Sequence, residues 1–267
     1  MTAYTRIRFE PEPPVARITL ARPEVRNAFD DLLIVEVSQA AARLVEICDE
    51  DPDKAPRALV LTGEGASFCA GADMNWMRRS ISYTEEENLS DARRMAAMYR
   101  ALDELPLPTI ARVNGHALGG GMGLIACCDM VVAADSAQFG FTEAKLGIAP
   151  AIISSFVLPK IGAATARRYF LTAELFDARR ALDMGLVHEV VPAAELDAAV
   201  DRLVTCVRGN GPRGVSAAKR LIRETLAKSR DDALENAVRT IAALRASPEG
   251  QEGLGAFLEK RPPAWKQ

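Results

Sequence analysis

The sequence has few of the side chains that most often bind metal ions or act as nucleophiles. Of its 267 residues, two are histidine and five are cysteine. The cysteines show no CxxC spacing and no partner histidines at metal-ligand spacing, so we predict no metal site and no disulfide framework. Neither histidine stands in a pattern typical of a Ser-His-Asp triad. The cysteines are expected to be free, mostly buried thiols: Cys48, Cys69, Cys127, Cys128 and Cys206.

The sequence also lacks a long apolar run and an excess of basic residues. No segment approaches the ~18 apolar residues that a membrane span requires, and the N-terminal segment lacks the basic-then-apolar order of a signal peptide. The 33 Lys and Arg residues are scattered and are outnumbered by 36 Asp and Glu residues, which argues against a nucleic-acid partner. We therefore expect a cytoplasmic protein whose partners are small molecules or copies of itself.

Short β-branched runs alternate with amphipathic segments along the first half of the chain. The runs Val15–Leu20 and Ala58–Gly63 are typical of strands, and Asp30 is placed to cap a helix between them. A capping box at Thr84 predicts a second helix, which runs to about Leu105. Strand, helix, strand is the unit of a parallel sheet, so the predicted class is α/β. The last third predicts helices at about 159–171, 178–184, 193–208, 212–228 and 230–246.

The stretch "GHALGGGMGLIACCD", residues 115–129, is rich in glycine, and its residues 117–126 include no acid, base or nucleophile. A dinucleotide-binding loop is one interpretation, with Glu143 as the ribose-binding acid. Too few residues separate these glycines from the next strand for a crossover helix, which argues against that interpretation. A second interpretation is that main-chain N–H groups face a substrate oxygen and stabilise negative charge on it. A third interpretation is that the glycines serve only to let a helix pack closely.

A second stretch of small residues, "GEGASFCAGADMNWM" (63–77), follows the strand that ends near Gly63. Two such loops at the carboxyl ends of neighbouring strands lie where an open α/β sheet places its ligand. Each loop could therefore provide one backbone donor to the same oxygen.

Four ordered motifs together resemble the enoyl-CoA hydratase/isomerase (crotonase) family: "SFCAGADM", "NGHALGGGMGL", "AQFGFTEAKLGIAP" and "AFLEKRPPAW". The resemblance covers residues 6–265. It implies a spiral of β-β-α units, with residues 1–200 as the core that holds the CoA and acyl site and residues 201–267 as a helical oligomerisation region. It also implies a homotrimer or a dimer of trimers.

The resemblance further implies a role for individual residues. An acyl-CoA thioester oxygen would lie between the N–H groups of Ala72 and Gly120, and an enolate would be the intermediate. Coenzyme A would be part of the substrate and no separate cofactor would be needed. The residues implied to contact CoA are Ala70, Asp73, Met74, Phe257 and Lys260, the last two often reaching the CoA of a neighbouring subunit.

Relatives that hydrate enoyl-CoA often have two glutamates, and this sequence keeps one of them. The position of the first is Gly123, and the second is Glu143. We expect partial burial among four apolar residues to raise the pKa of Glu143 toward a useful range. These residues are Phe139, Phe141, Leu146 and Ile148. One glutamate suffices in principle for hydration, and it equally suits Δ3,Δ2-enoyl-CoA isomerisation. A non-catalytic acyl-CoA-binding protein is a third possibility.

The segments "GADMNWMRR" and "GIAPAIISSFV" resemble a bacterial branch of methylglutaconyl-CoA hydratases, which act in leucine degradation. A branched acyl group with a distal carboxylate would need a counter-charge, for which Arg78, Arg79 and Arg112 are candidates. The glycine at 123 would then remove a repelling anion and leave room for the branch.

Overall fold

The structure is a computed structural model that describes residues 4–266. Its strands are β1 (Ile7–Glu10), β2 (Ala16–Leu20), β3 (Leu59–Gly63), β4 (Ser67–Cys69), β5 (Thr109–Val113), β6 (His116–Leu118), β7 (Met130–Ala134), β8 (Gln138–Gly140), β9 (Phe176–Asp177) and β10 (Glu189–Val191). Its α-helices are α1 (Asp31–Glu50), α2 (Met74–Ser80), α3 (Glu85–Asp103), α4 (Gly120–Ala126), α5 (Ala151–Thr172), α6 (Ala178–Asp183), α7 (Leu196–Arg208), α8 (Pro212–Ala227), α9 (Arg230–Ala246) and α10 (Pro248–Leu258).

The strands form two sheets. The larger has the order β1-β2-β3-β5-β7-β10 and is parallel except between β1 and β2. The smaller has the order β4-β6-β8-β9 and is parallel except between β8 and β9. The chain adds β3, β5 and β7 to the larger sheet and follows each at once with β4, β6 or β8 in the smaller one. This is the spiral of β-β-α turns that the family resemblance implies.

Local signals in the sequence place the first helices correctly. The side chain of Asp30 accepts the N–H of Leu33 at 2.9 Å and caps α1. Thr84 and Glu87 form both bonds of the predicted capping box at the start of α3. Each cap satisfies a backbone N–H that the helix itself leaves unpaired. One face of each helix contributes to a core of fully buried apolar residues between the helices and the sheets.

Two helices differ from the prediction. The helix expected to begin near residue 159 begins at Ala151, and Pro159 lies within it. The helical path breaks at Gly162, whose φ of 70° is readily adopted only by glycine. Beyond the last helix predicted at 230–246 the structure has a further one, α10, which Pro248 opens, because proline is favoured in the first turn of a helix.

The predicted division at residue 200 falls inside α7. Val200 and Val204 on this helix pack against Val60 and Ile110 of the larger sheet, so α7 is part of the core. The helices that follow, α8 to α10, leave large apolar side chains exposed: Ile222, Leu226, Leu234, Val238, Ile241, Leu254, Phe257 and Leu258. None of the helices within residues 4–266 combines the length and the apolar composition that a membrane span requires.

Candidate active site

The glycine-rich stretch and the second small-residue loop meet at the ends of two adjacent strands of the smaller sheet. Gly71 follows β4 with a φ of 92°, and Gly119 follows β6 with a φ of 51°. A Cβ added to Gly119 would lie 3.9 Å from Gly71 Cα, and one added to Gly71 would lie 3.0 Å from the carbonyl oxygen of Leu118. Both positions favour glycine because of their left-handed φ, and at Gly71 the close approach of the Leu118 carbonyl adds to this requirement.

The N–H groups of Ala72 and Gly120 remain available for a ligand. Phe29 donates to the carbonyl of Gly71 at 2.9 Å and accepts from the N–H of Asp73 at 3.0 Å, so it pairs with both neighbours of Ala72. Gly120 is the first residue of α4, where a helix leaves its N–H groups unpaired. Within the described chain, neither N–H has an acceptor. Both N–H groups can therefore donate to a bound ligand.

Both donor peptides are held through their own carbonyl groups. The carbonyl of Gly71, in the peptide that bears the Ala72 N–H, accepts from Phe29. The carbonyl of Gly119, in the peptide that bears the Gly120 N–H, accepts from Met122 at 2.9 Å. Since a peptide unit is planar, fixing the carbonyl also fixes the direction of the N–H. Donors that are already oriented cost no reorganisation when charge develops on the substrate.

The carboxylate of Glu143 lies beside these donors. A Cβ added to Gly119 would be 3.8 Å from Glu143 Oε1. The other oxygen, Oε2, is buried and has no hydrogen-bond partner among the described residues. Burial raises the pKa of Glu143 above its ordinary value, as the sequence predicted. Two of the four apolar neighbours expected from sequence, Leu146 and Ile148, are however largely exposed beside it.

The raised pKa predicts a shifted pH profile. A glutamate that accepts a proton during catalysis must be ionised, and the carboxylate is lost as the pH falls through the pKa. The acidic limb of kcat/KM should therefore lie above the ~4.3 of an ordinary glutamate. A pH titration of kcat/KM checks this, and a limb at or below the ordinary value would contradict it.

These groups share a cavity of 380 Å³. Four of the predicted residues line it: Ala70, Ala72, Gly120 and Glu143. Its other lining residues are mostly apolar and come from α2, α3 and the start of α5, including Trp76, Met95, Ile152 and Ile153. A larger cleft of 720 Å³ between the residue 53–57 loop and the C-terminal tail contains none of the predicted site residues. The smaller cavity is therefore the candidate active site.

Asp73 is a structural residue through its side chain. It is 4% exposed, caps α2 by accepting the N–H groups of Asn75 and Trp76, and pairs with Arg22 at 2.9 Å. Burial alone would raise the pKa of Asp73, but the two N–H groups and the guanidinium of Arg22 hold it below its ordinary value. Any contact of this residue with CoA would have to involve its backbone.

Removing the Asp73 carboxylate should destabilise the fold strongly. Asp73→Ala leaves Arg22 buried without one of its partners. We therefore expect the free energy of unfolding to fall by about 3 kcal/mol. Asp177→Ala is the matched control because Asp177 caps α6 at the surface, where a cap contributes about 1 kcal/mol. Urea unfolding of both variants measures the difference, and equal losses would show that the buried ion pair adds nothing.

The remaining CoA candidates lie outside the cavity. Met74 is 67% exposed, Phe257 is 81% exposed, and Lys260 is exposed just beyond α10. None of the three lines the cavity in the single chain. Phe257 and Lys260 are thus free to meet a neighbouring copy, in keeping with what the resemblance implies.

The three arginines considered as counter-charges do not line the cavity. Arg78 hydrogen-bonds Asn75 at the surface, and Arg79 pairs with the exposed Asp31. Arg112 pairs with Asp197 on α7. The expectation that one of them faces the acyl group within the same chain is therefore wrong.

The position of the missing first glutamate is not an open space. A Cβ added to Gly123 would lie 2.5 Å from Ile153 Cγ2 and 2.8 Å from two ring atoms of Tyr99. The hypothesis that Gly123 leaves room for a branched acyl group is therefore wrong, because Tyr99 and Ile153 already fill that room. Sequence patterns could not reveal this, since Tyr99 reaches Gly123 only through the packing of α3 against α4.

Comparison with known proteins agrees with this geometry. Residues 10–267 match the family model described as enoyl-CoA hydratase/isomerase. The crotonyl-CoA hydratase of Syntrophomonas wolfei is 34% identical, over 97% of each chain. The enoyl-CoA isomerase/hydratase fer4 of Mycosarcoma maydis is also 34% identical, over 93% of this chain and 91% of the other.

Solved structures give the same result. An enoyl-CoA hydratase from Shewanella pealeana is 37% identical with a TM-score of 0.91, over 98% of this chain and 96% of the other. Pseudomonas aeruginosa AtuE is 36% identical with a TM-score of 0.93, over 98% and 100%. The match over nearly the whole sequence and the shared spiral fold show that this chain belongs to the enoyl-CoA hydratase/isomerase family.

Proposed function

We propose that this protein adds water across the 2,3 double bond of a 2-enoyl-CoA. The observation that carries the proposal is the meeting of two unpaired backbone donors, on Ala72 and Gly120, with the carboxylate of Glu143 in one largely apolar cavity. The donors suit a thioester oxygen that becomes negative during reaction, and the carboxylate suits proton transfer. The hydratase names of several relatives support the same reaction.

The proposed reaction uses Glu143 twice. Its carboxylate accepts a proton from water while the water oxygen bonds to C3 of the substrate. The electron pair of the 2,3 double bond moves toward the thioester, and the resulting enolate oxygen accepts the N–H groups of Ala72 and Gly120. Glu143 then returns the proton to C2, which restores the carboxylate and leaves a 3-hydroxyacyl-CoA. The net change is the addition of one water molecule.

The cavity favours an acyl group that carries no charge. We further propose that this acyl group is branched. None of the described lining residues is Lys, Arg or His, while Asp91, which is buried, lines the same cavity. Asp91 already pairs with Arg94 at 2.7 Å, so a distal carboxylate such as that of methylglutaconyl-CoA would find no cation for itself among the described residues that line the cavity. Burying such an unpaired charge is costly. The methylglutaconyl-like assignment therefore depends on a cation from a neighbouring copy.

The CoA portion and the assembly are part of the same proposal. We place Ala70 and the backbone of Asp73 beside the CoA, with Met74 at the rim and Phe257 and Lys260 reaching it from a neighbouring copy. The exposed apolar side chains of α8 to α10 support a homotrimer or a dimer of trimers, because large exposed apolar patches are typical of interaction surfaces. The proposed location is the cytoplasm.

Isomerisation of a 3-enoyl-CoA is the second candidate. A single carboxylate such as Glu143 can remove a proton from C2 and return it at C4, and the relative from Mycosarcoma maydis carries both activities in its name. A non-catalytic acyl-CoA-binding protein would show neither reaction.

Isotope incorporation separates the three possibilities. The protein is incubated with crotonyl-CoA and with a 3-enoyl-CoA in deuterium oxide, and in water enriched in heavy oxygen, and the products are examined by mass spectrometry. A hydratase should place deuterium at C2 and heavy oxygen at C3. Double-bond migration without oxygen uptake would establish the isomerase, and no incorporation with either substrate would contradict catalysis.

A further inference from the structure

Tyr99, on α3, is a fully buried tyrosine that the proposed reaction does not use. Its hydroxyl donates to the carbonyl oxygen of Gly120 at 2.8 Å. This bond joins a residue of α3 to the residue that carries one of the two substrate-binding N–H groups. Tyr99 does not line the cavity, so any influence on the substrate passes through Gly120.

The backbone that aims the Gly120 N–H is intrinsically flexible. Gly119, Gly120 and Gly121 are consecutive, and Gly119 has φ 51° and ψ −122°. Glycine has more accessible backbone conformations than any other residue, so contacts from elsewhere must hold this turn. On one side Gly119 donates to the carbonyl of Gly140, and its own carbonyl accepts from Met122, both at 2.9 Å. On the other side the Tyr99 hydroxyl donates to the carbonyl of Gly120.

The Tyr99 ring is itself held tightly in place. A Cβ added to Gly123 would lie 2.8 Å from its Cε1 and Cζ atoms, so the ring packs directly on α4. On another side it contacts Phe156, with the ring centroids 5.9 Å apart. Burial raises the pKa of Tyr99 well above its ordinary value, so the phenol keeps its proton and remains a donor.

We propose that Tyr99 is a positioning residue of the oxyanion-binding site. Its hydroxyl holds the carbonyl of Gly120 and so restrains rotation about the Gly120 Cα, which separates this carbonyl from the Gly120 N–H. Together with the Met122 bond to the carbonyl of Gly119, this keeps the Gly120 N–H pointed at the thioester oxygen. The effect expected on kcat rests on the proposed function. The effect expected on the carbonyl group of a bound thioester does not, because it can be measured without turnover.

The test uses butyryl-CoA, a saturated thioester that cannot be hydrated, labelled at its thioester carbon. Isotope-edited infrared spectra of the bound ligand report the carbonyl stretch, which moves to lower frequency when hydrogen bonds polarise the group. Tyr99→Phe should lose part of that shift while the Kd of butyryl-CoA changes little. With crotonyl-CoA it should lower kcat about tenfold and leave KM nearly unchanged.

The matched control is Tyr169→Phe. Tyr169 is 2% exposed, and its hydroxyl accepts from Arg180 at 2.9 Å away from the cavity. This variant loses a buried tyrosine hydroxyl without touching Gly120, so its carbonyl band and kcat should match those of the wild type. A ring-fluorinated tyrosine at position 99 keeps the shape of the side chain, and its hydroxyl donates more strongly. It should enlarge the shift of the carbonyl band to lower frequency. This variant tests the proposal even if Tyr99→Phe folds poorly.

The possible outcomes distinguish failure of the positioning role of Tyr99 from failure of the proposed hydratase function. A carbonyl band in Tyr99→Phe that matches the wild type and Tyr169→Phe would overturn the positioning role, as would no change with the fluorinated tyrosine. If the wild type hydrates no 2-enoyl-CoA but its butyryl-CoA band depends on Tyr99, the proposed function fails and the positioning role stands.

Discussion

Replacement of Glu143 by glutamine is expected to lower kcat for enoyl-CoA hydration by a hundredfold or more. General acid–base groups typically contribute about 10²–10⁴-fold. Among the described residues that line the cavity, the other carboxylate is that of Asp91, which is already paired with Arg94. Glutamine keeps the size and the hydrogen-bonding capacity of the side chain but can neither accept the proton from water nor return it to C2. Initial rates with crotonyl-CoA, followed by loss of the conjugated thioester absorbance, measure the effect.

Glu174→Gln is the control for this substitution. Glu174 pairs with Arg168 at the surface and does not line the cavity, so its rate should equal that of the wild type. The binding of butyryl-CoA to Glu143→Gln should stay within a few-fold of the wild type, because the two backbone donors remain. A rate for Glu143→Gln close to the wild-type rate would show that another group transfers the proton.

The second large effect is expected at Gly123, on the protein's stability. An added Cβ would overlap Ile153 and the Tyr99 ring, and overpacking of a tight core typically costs about 1–3 kcal/mol or more. Gly123→Ala should therefore destabilise the fold by this amount, and Gly123→Glu by more. Restoring a glutamate should not increase hydration, because its side chain has no path to the cavity that avoids Tyr99 and Ile153.

Gly214→Ala provides the matched comparison inside another helix. A Cβ there would contact only Glu249 Oε1, at an ordinary 3.5 Å, so alanine should be neutral or stabilise by up to about 1 kcal/mol. Urea unfolding of the three variants tests the ordering. If Gly123→Glu instead folds normally and weakens a dicarboxylic acyl-CoA more than crotonyl-CoA, repulsion between anions would be the explanation, and our packing account would be wrong.

The parts of the fold that could be predicted from sequence are those set by local chemistry. Capping side chains, β-branched runs and apolar periodicity mark α1, α3 and the strands β2 and β3 of the larger sheet, because these signals lie within a few residues of each element. The short strands of the smaller sheet, such as β4 and β6, are three residues long. A run of that length carries almost no periodicity, and their placement follows from the family resemblance alone.

The residues of the candidate site also fall into two groups, those that could be predicted from the sequence and those that could not. Ala72, Gly120 and Glu143 stand in motifs, so the resemblance carries them over, and the structure brings all three to one cavity. Tyr99 and Phe29 stand in no motif, and Ile153 stands in a quoted segment that assigns it no role. Yet these three residues decide whether a side chain fits at Gly123 and how the donor peptides are held. Their roles depend on contacts between elements far apart in sequence, which a single sequence does not encode in any local pattern.

The most direct test of the account is the infrared spectrum of labelled butyryl-CoA bound to the wild-type protein. If the N–H groups of Ala72 and Gly120 bind the thioester oxygen, the carbonyl band should lie at clearly lower frequency than that of free butyryl-CoA in water. A bound ligand whose carbonyl band matches that of the free thioester would contradict the oxyanion-binding site, and with it the mechanism proposed for this protein.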